Sequence, residues 1–190
     1  MLKLLVVLVV IPEIALAITC NTTDTFPNST ASHFHHYSCL HDLPNGSLII
    51  SSMNITHDAN YHYPLDLSRT LSLTMTMNNT ALKVTKVLLD IEIYVWEPLE
   101  SGDCGWEAFP TFGFTEDLDG CEMMECPLEK GVIRNFTMNV DMRDGAAFLD
   151  NGKLYQLRMI IKNGDRPKNV RLADYEPPLL GCTVMQATIL

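Results

Sequence analysis

The side chains best suited to chemistry in this sequence are six histidines, all between His33 and His62, and six cysteines at 20, 39, 104, 121, 126 and 182. His33, His35, His36 and His41 have a spacing that could seat a metal ion. They fall in a loop-like stretch rich in Asn, Thr and Ser, with no evident ligands further along the chain, so no metal site is expected. The cysteines are even in number and can all pair, which leaves no thiolate for nucleophilic catalysis. The sequence holds no G-x-S-x-G, no H-E-x-x-H and no glycine-rich phosphate loop. These residues point to a protein that is not an enzyme and needs no cofactor.

What they do indicate is a compartment. Lys3, the apolar run Leu4 to Ile11 and the small-residue triplet Ala15-Leu16-Ala17 read as a signal peptide over 1–17, with the mature chain starting at Ile18. That run is too short, and too soon broken by Pro12 and Glu13, to span a bilayer. Six cysteines in an oxidising lumen imply three disulfides. Asn21, Asn28, Asn45, Asn54, Asn78 and Asn135 each head an Asn-x-Ser/Thr sequon, half of all the asparagines, which predicts a glycosylated surface. The net charge of −10 argues against nucleic acid as a partner and against standing attachment to anionic membranes. Near pH 5 protonated histidines would offset much of that charge, which suits an endosome or lysosome; a solvated His-rich loop is the plain alternative.

The elements that must position any site are strands. Leu71, Leu73, Met75 and Met77 alternate with Ser and Thr, and Val87, Leu89, Ile91, Ile93 and Val95 alternate with a more polar set. Phe136, Met138, Val140 and Met142 form a third such run, Tyr155, Leu157, Met159 and Ile161 a fourth, and Cys182 to Ile189 a last strand. Residues 18–63 read as loop-rich with one or two short strands. Asn78-Asn79, Asp144-Gly145 and Asn151-Gly152 are turns, and no window sustains a helical period. The expectation is one domain over 18–190, an all-β, immunoglobulin-like antiparallel sandwich of two sheets.

Three features leave alternatives open. Cys121 to Gly131 can close a small disulfide staple that enters a hairpin. The inward methionines Met75, Met77, Met138, Met159 and Met185 either fill a dry core or line a gap between the sheets that accepts an acyl chain or sterol. Trp106, Phe109, Phe112 and Phe114, in the connection from Gly105 to Gly120, either guard a cavity mouth and touch a membrane, or cluster beneath their own loop.

A secreted sandwich with Cys-x4-Cys-Pro-Leu-x-Lys-Gly at 121–131 and a last strand opening at Cys182 resembles the ML lipid-recognition superfamily. Leu180-Gly181-Cys182 with Thr183 to Ala187, and Phe34 to Cys39, are most similar to its ganglioside-activator branch. The short Cys121–Cys126 interval resembles the Niemann–Pick cholesterol-transfer branch, and Cys20 before Asn21-Thr22-Thr23 resembles the co-receptors of Toll-like receptors. The ganglioside activator has eight cysteines, so its full bridge pattern does not carry over.

The resemblance implies the bridges Cys121–Cys126 and Cys39–Cys182, and with them Cys20–Cys104. It implies an apolar cavity holding one glycolipid, sterol or acyl lipid. Leu73, Met75, Met77, Leu89, Ile91, Ile93, Val95, Phe136, Met138, Val140, Tyr155, Leu157 and Met159 are expected to contact the lipid, and Trp106, Phe109, Phe112 and Phe114 to stand at the mouth. It implies a carrier that moves or presents lipid in the secreted or endosomal and lysosomal space, with a transient membrane contact and a hydrolase or receptor as partner. The alternative is an innate-immune recognition module that docks on a Toll-like receptor ectodomain.

Overall fold

The computed structural model describes residues 19–20, 29–39, 46–57, 63–80, 82–141, 143 and 149–190. The leader at 1–17, the sequons at Asn21, Asn28 and Asn45, His41 and His62, and the turn at Asp144-Gly145 lie outside the described residues, as does the side chain of Val140.

The described residues form nine strands: β1 His35–Ser38, β2 Leu48–Thr56, β3 Leu71–Asn79, β4 Val87–Pro98, β5 Cys104–Ala108, β6 Leu118–Asp119, β7 Ile133–Val140, β8 Leu154–Asn163 and β9 Leu179–Thr188. They pair into two antiparallel sheets. The larger runs β1-β9-β8-β4-β5, with β6 also on β4, and the smaller runs β2-β3-β7. The chain is therefore the all-β sandwich that its alternation predicts. The two short apolar pieces of the N-terminal segment join into one nine-residue strand, β2, with a register shift between Ile50 and Ser52.

Each sheet turns its apolar set towards the other. On β3, Leu71, Leu73, Met75 and Met77 are buried while Ser72, Thr74 and Thr76 face out, and one core cluster spans both sheets. A Cβ on Gly181 would stand 3.0 Å from the Leu48 carbonyl oxygen, so a side chain there would push β2 a few tenths of an ångström from β9.

Residues 121–131 do not enter a hairpin. Gly120–Met123 forms a one-turn helix, α1: the Asp119 carboxylate accepts the Cys121 N–H at 2.9 Å, and the Met124 N–H donates to the Gly120 carbonyl at 2.8 Å. A capping aspartate two residues before the backbone N–H it accepts favours that turn over an extended start. Cys121–Cys126 closes it, and Gly131, at φ 71, turns the chain towards β7. Cys39–Cys182 ties the end of β1 to β9, and Cys20–Cys104 ties the early chain to β5. Three disulfides suit an oxidising compartment. Among the described residues no helix is long and apolar enough to cross a membrane.

Candidate functional site

The sheets are packed shut at one end and stand apart at the other. At the shut end Met75, Val87, Leu89 and Ile161 are wholly buried, with Met77, Val84, Leu128 and Phe136 closing around them. At the other end an apolar cavity of about 200 Å³ lies between the sheets. Leu71 and Leu73 of β3, Met138 of β7 and Ile55 of β2 form one wall. Ile91 and Ile93 of β4, Tyr155, Leu157 and Met159 of β8, and Met185 and Ala187 of β9 form the other. Phe34, Leu65, Leu67, Met123, Leu149 and Ile189 close the ends.

Half-exposure marks the gap. Ile91, Ile93 and Leu157 point inward in register with buried neighbours, yet remain partly accessible because the space before them is empty. The Tyr155 hydroxyl in the wall accepts the Asp150 N–H at 2.8 Å, and the Gln186 amide N–H donates to Gln156 Oε1 at 2.7 Å, while Gln186 Oε1 is buried without a hydrogen-bond partner among the described residues. Burial raises the Tyr155 phenol above its usual pKa, which keeps it neutral. Such a lining offers neither a nucleophile nor a base; it can exclude water and hold hydrocarbon. Among the described residues no group of three or more His, Cys, Asp or Glu is placed to hold a metal ion.

Of the side chains expected to meet a lipid, Leu73, Ile91, Ile93, Met138, Tyr155, Leu157 and Met159 do line this cavity. Met75, Met77, Leu89, Val95 and Phe136 do not: they face inward but belong to the filled core. Sequence reasoning missed the plugs Phe34, Leu65, Leu67 and Leu149, none of which lies in an alternating run. It also missed Met123, inside the disulfide staple at 121–126. A signal did exist for Met185, Ala187 and Ile189, which alternate along the last strand.

The aromatic connection divides. Trp106 is on β5, paired opposite Trp96, and the two rings make an edge-on contact at 5.4 Å. Trp96 occupies an outward position of β4, so Trp106 packs on the outer face and not at a mouth. Phe109 borders a second groove with Val95, Ala108 and Lys153, which shares Tyr155 with the cavity. Phe112 and Phe114 are 84% and 82% exposed. Their loop is pinned to β4 at the level of the cavity: the Phe109 N–H donates to the Ile93 carbonyl, and the Ile91 N–H to the Thr115 carbonyl, both at 2.8 Å. The two exposed rings thus project from the strand edge whose inward side chains, Ile91 and Ile93, line the cavity.

Two histidines clip the walls. His36 of β1, in the larger sheet, accepts the backbone N–H of Met53 of β2, in the smaller one, at 3.2 Å through Nε2. Its ring lies beside Phe34, which closes the cavity. His57 Nε2 accepts the Asp66 N–H at 3.0 Å and so holds the loop carrying Leu65 and Leu67. A nitrogen that accepts is an unprotonated one. Desolvation by burial lowers the His36 pKa, so the unfolded chain takes its proton at higher pH than the folded one. The stability from neutral His36 is therefore complete above about pH 6.5 and is lost as pH falls below that value through the folded pKa. The protection factor of the Met53 amide, which is its exchange relative to the intrinsic rate at each pH, is expected to fall between pH 7 and pH 5. His36→Gln, whose amide oxygen can accept without titrating, is expected to flatten that dependence; an unchanged profile in the variant would assign the effect to another group.

No family model matches the chain, and no curated protein matches it. Among solved structures it is similar to the C-terminal domain of wzt, at 15% identity over 84% of this chain and 79% of that one, with a TM-score of 0.42. A likeness that loose carries no argument.

Proposed function

We propose that this protein is a lumenal or secreted, non-enzymatic lipid carrier of the ML type, taking hydrocarbon between its sheets and passing it to or from a membrane. The observation that carries the reading is the apolar cavity between the sheets, with two exposed phenylalanines on the loop bonded to its wall strand β4. An engineered apolar cavity of about 150 Å³ stays dry and binds benzene, so about 200 Å³ suits a short hydrocarbon segment. Sites for larger ligands run to about 300–1,000 Å³, so a whole acyl chain or sterol requires the cavity to widen. Met123, Met138, Met159 and Met185 in the wall are flexible enough to repack around such a guest. Each methylene brought in contributes about 0.8 kcal/mol.

A polar headgroup has somewhere to go. Leu67 and Ile189 border both the cavity and an open groove of about 790 Å³ lined also by Asp66, Ser68, Asn151 and Thr188. The acid-sensitive clip at His36 favours the carrier over the immune-recognition alternative, because loosening near pH 5 suits exchange in an endosome or lysosome.

The test uses delipidated protein and neutral phosphatidylcholine vesicles doped with a fluorescent acyl lipid. Uptake is expected, faster at pH 5 than at pH 7. Phe112→Ser with Phe114→Ser is expected to weaken vesicle association at least tenfold, because burying each ring contributes roughly 1.5–3 kcal/mol. Affinity for detergent-dispersed lipid should change less than twofold. Protein that takes up no lipid from vesicles or detergent at either pH would overturn the carrier reading.

A further inference from the structure

The sequons at Asn54, Asn78 and Asn135 lie far apart in the chain and on three different strands, yet the register brings them to one surface. Asn54 of β2 is opposite Thr74, Asn135 of β7 is opposite Thr76, and Asn78 is on β3 itself. Thr74, Thr76 and Asn78 alternate with the buried Leu73, Met75 and Met77, so all three asparagines face away from the other sheet. With about 6.6–6.8 Å between successive outward residues and about 4.8 Å between strands, the three sit within a patch of roughly 14 by 10 Å.

That face lacks what a solvent-facing sheet needs. Its paired outward positions are Ser, Thr, Asn and Ile throughout, without a charge, although 19% of the chain is charged. The outer face of the larger sheet, by contrast, carries ion pairs such as Lys162–Asp90 and Arg158–Glu92. At one end of the uncharged face Ile49 and Ile133 flank Asn78 as its direct cross-strand partners, and they are 50% and 68% exposed. An uncharged sheet face with exposed isoleucines invites stacking on another copy. Asn78 Oδ1 is also buried without a hydrogen-bond partner.

We infer that the outer face of β2-β3-β7 is a glycan-covered face, with N-linked oligosaccharides at Asn54, Asn78 and Asn135 and the first N-acetylglucosamine on Asn78 lying over Ile49 and Ile133. The chain carries the occupant of its own apolar patch. The sugar's apolar ring face suits the exposed isoleucines beside Asn78. The glycans supply the hydration and bulk that charged side chains supply on the other sheet. Membrane and partner contacts are then confined to the rest of the surface, which includes the Phe112–Phe114 loop.

The test is glycopeptide mass spectrometry on protein secreted from a glycosylating eukaryotic host, followed by light scattering on variants. All three sites are expected to be occupied. Asn54→Gln/Asn78→Gln/Asn135→Gln is expected to self-associate at a concentration at least tenfold lower than the glycosylated protein. Asn78→Gln alone should raise binding of an apolar dye at least threefold, and adding Ile49→Thr and Ile133→Thr should return it to within twofold. Lipid uptake per monomer should stay unchanged in Asn78→Gln, so failure of the carrier reading and failure of this one are separate outcomes. An unoccupied Asn78 in the secreted protein would overturn the proposal. So would a triple variant as monodisperse as the glycosylated protein, or a protein partner that binds the glycosylated chain through Ile49 and Ile133.

Discussion

Ile93→Trp is expected to lower affinity for a fluorescent acyl lipid at least tenfold while the protein stays folded. Ile93 sits midway along β4, faces the other sheet, and is only half-buried because the cavity lies in front of it. An indole there takes up the volume that hydrocarbon would otherwise enter. Overpacking a filled core costs about 1–3 kcal/mol, but at this position the added ring has empty space to occupy, so the melting temperature should hardly fall. Met75→Ala is the matching control. Met75 is wholly buried at the shut end, so truncation is expected to cost about 2–5 kcal/mol in a denaturant titration without a matching loss of lipid affinity. If Ile93→Trp bound lipid as the parent does, the cavity would not be the ligand site.

The second large effect is expected from the disulfides, and it should differ sharply between them. Cys39–Cys182 joins residues 143 positions apart, and Cys121–Cys126 joins residues 5 apart. Loop-closure entropy makes the first bridge worth about 5 kcal/mol and the second about 2 kcal/mol. At roughly 2–4 °C per kcal/mol for a chain of this size, Cys39→Ala/Cys182→Ala should lower the melting temperature by roughly 10–20 °C. Cys121→Ala/Cys126→Ala should lower it by about half as much or less. The long bridge also fixes β1, whose His36 spans the two sheets, so its loss is expected to abolish the pH dependence of the protection factor at Met53. Equal losses for the two pairs would mean that native packing at the cysteines outweighs the entropy of the closed loops.

The site was legible in the sequence only in part, and the reason is visible in β3 and β4. Alternation tells which side chains face the opposite sheet, and Leu73, Met75, Ile91 and Val95 all do. It does not tell whether the opposite sheet is in contact there. Leu73 and Ile91 meet empty space, whereas Met75 and Val95 are packed tight. A lipid contact and a core contact have the same sequence signature. The aromatic connection shows the same limit in another form. Nothing local to Trp106 or Phe112 separates them; a cross-strand partner at Trp96 seats the first on the outer face, and the absence of strand pairing at 112–114 leaves the second exposed.

By itself the sequence determined the class of fold, the number of disulfides and which side chains turn inward, because a period of two and an even set of cysteines are local or countable properties. The tertiary structure decided where the sheets part, which plugs close the space and which sequons share a face. Those depend on strand register and inter-sheet distance. Both are set by contacts between residues far apart in the chain, such as Gly181 against Leu48, Leu65 beside Ile189, and His36 on Met53.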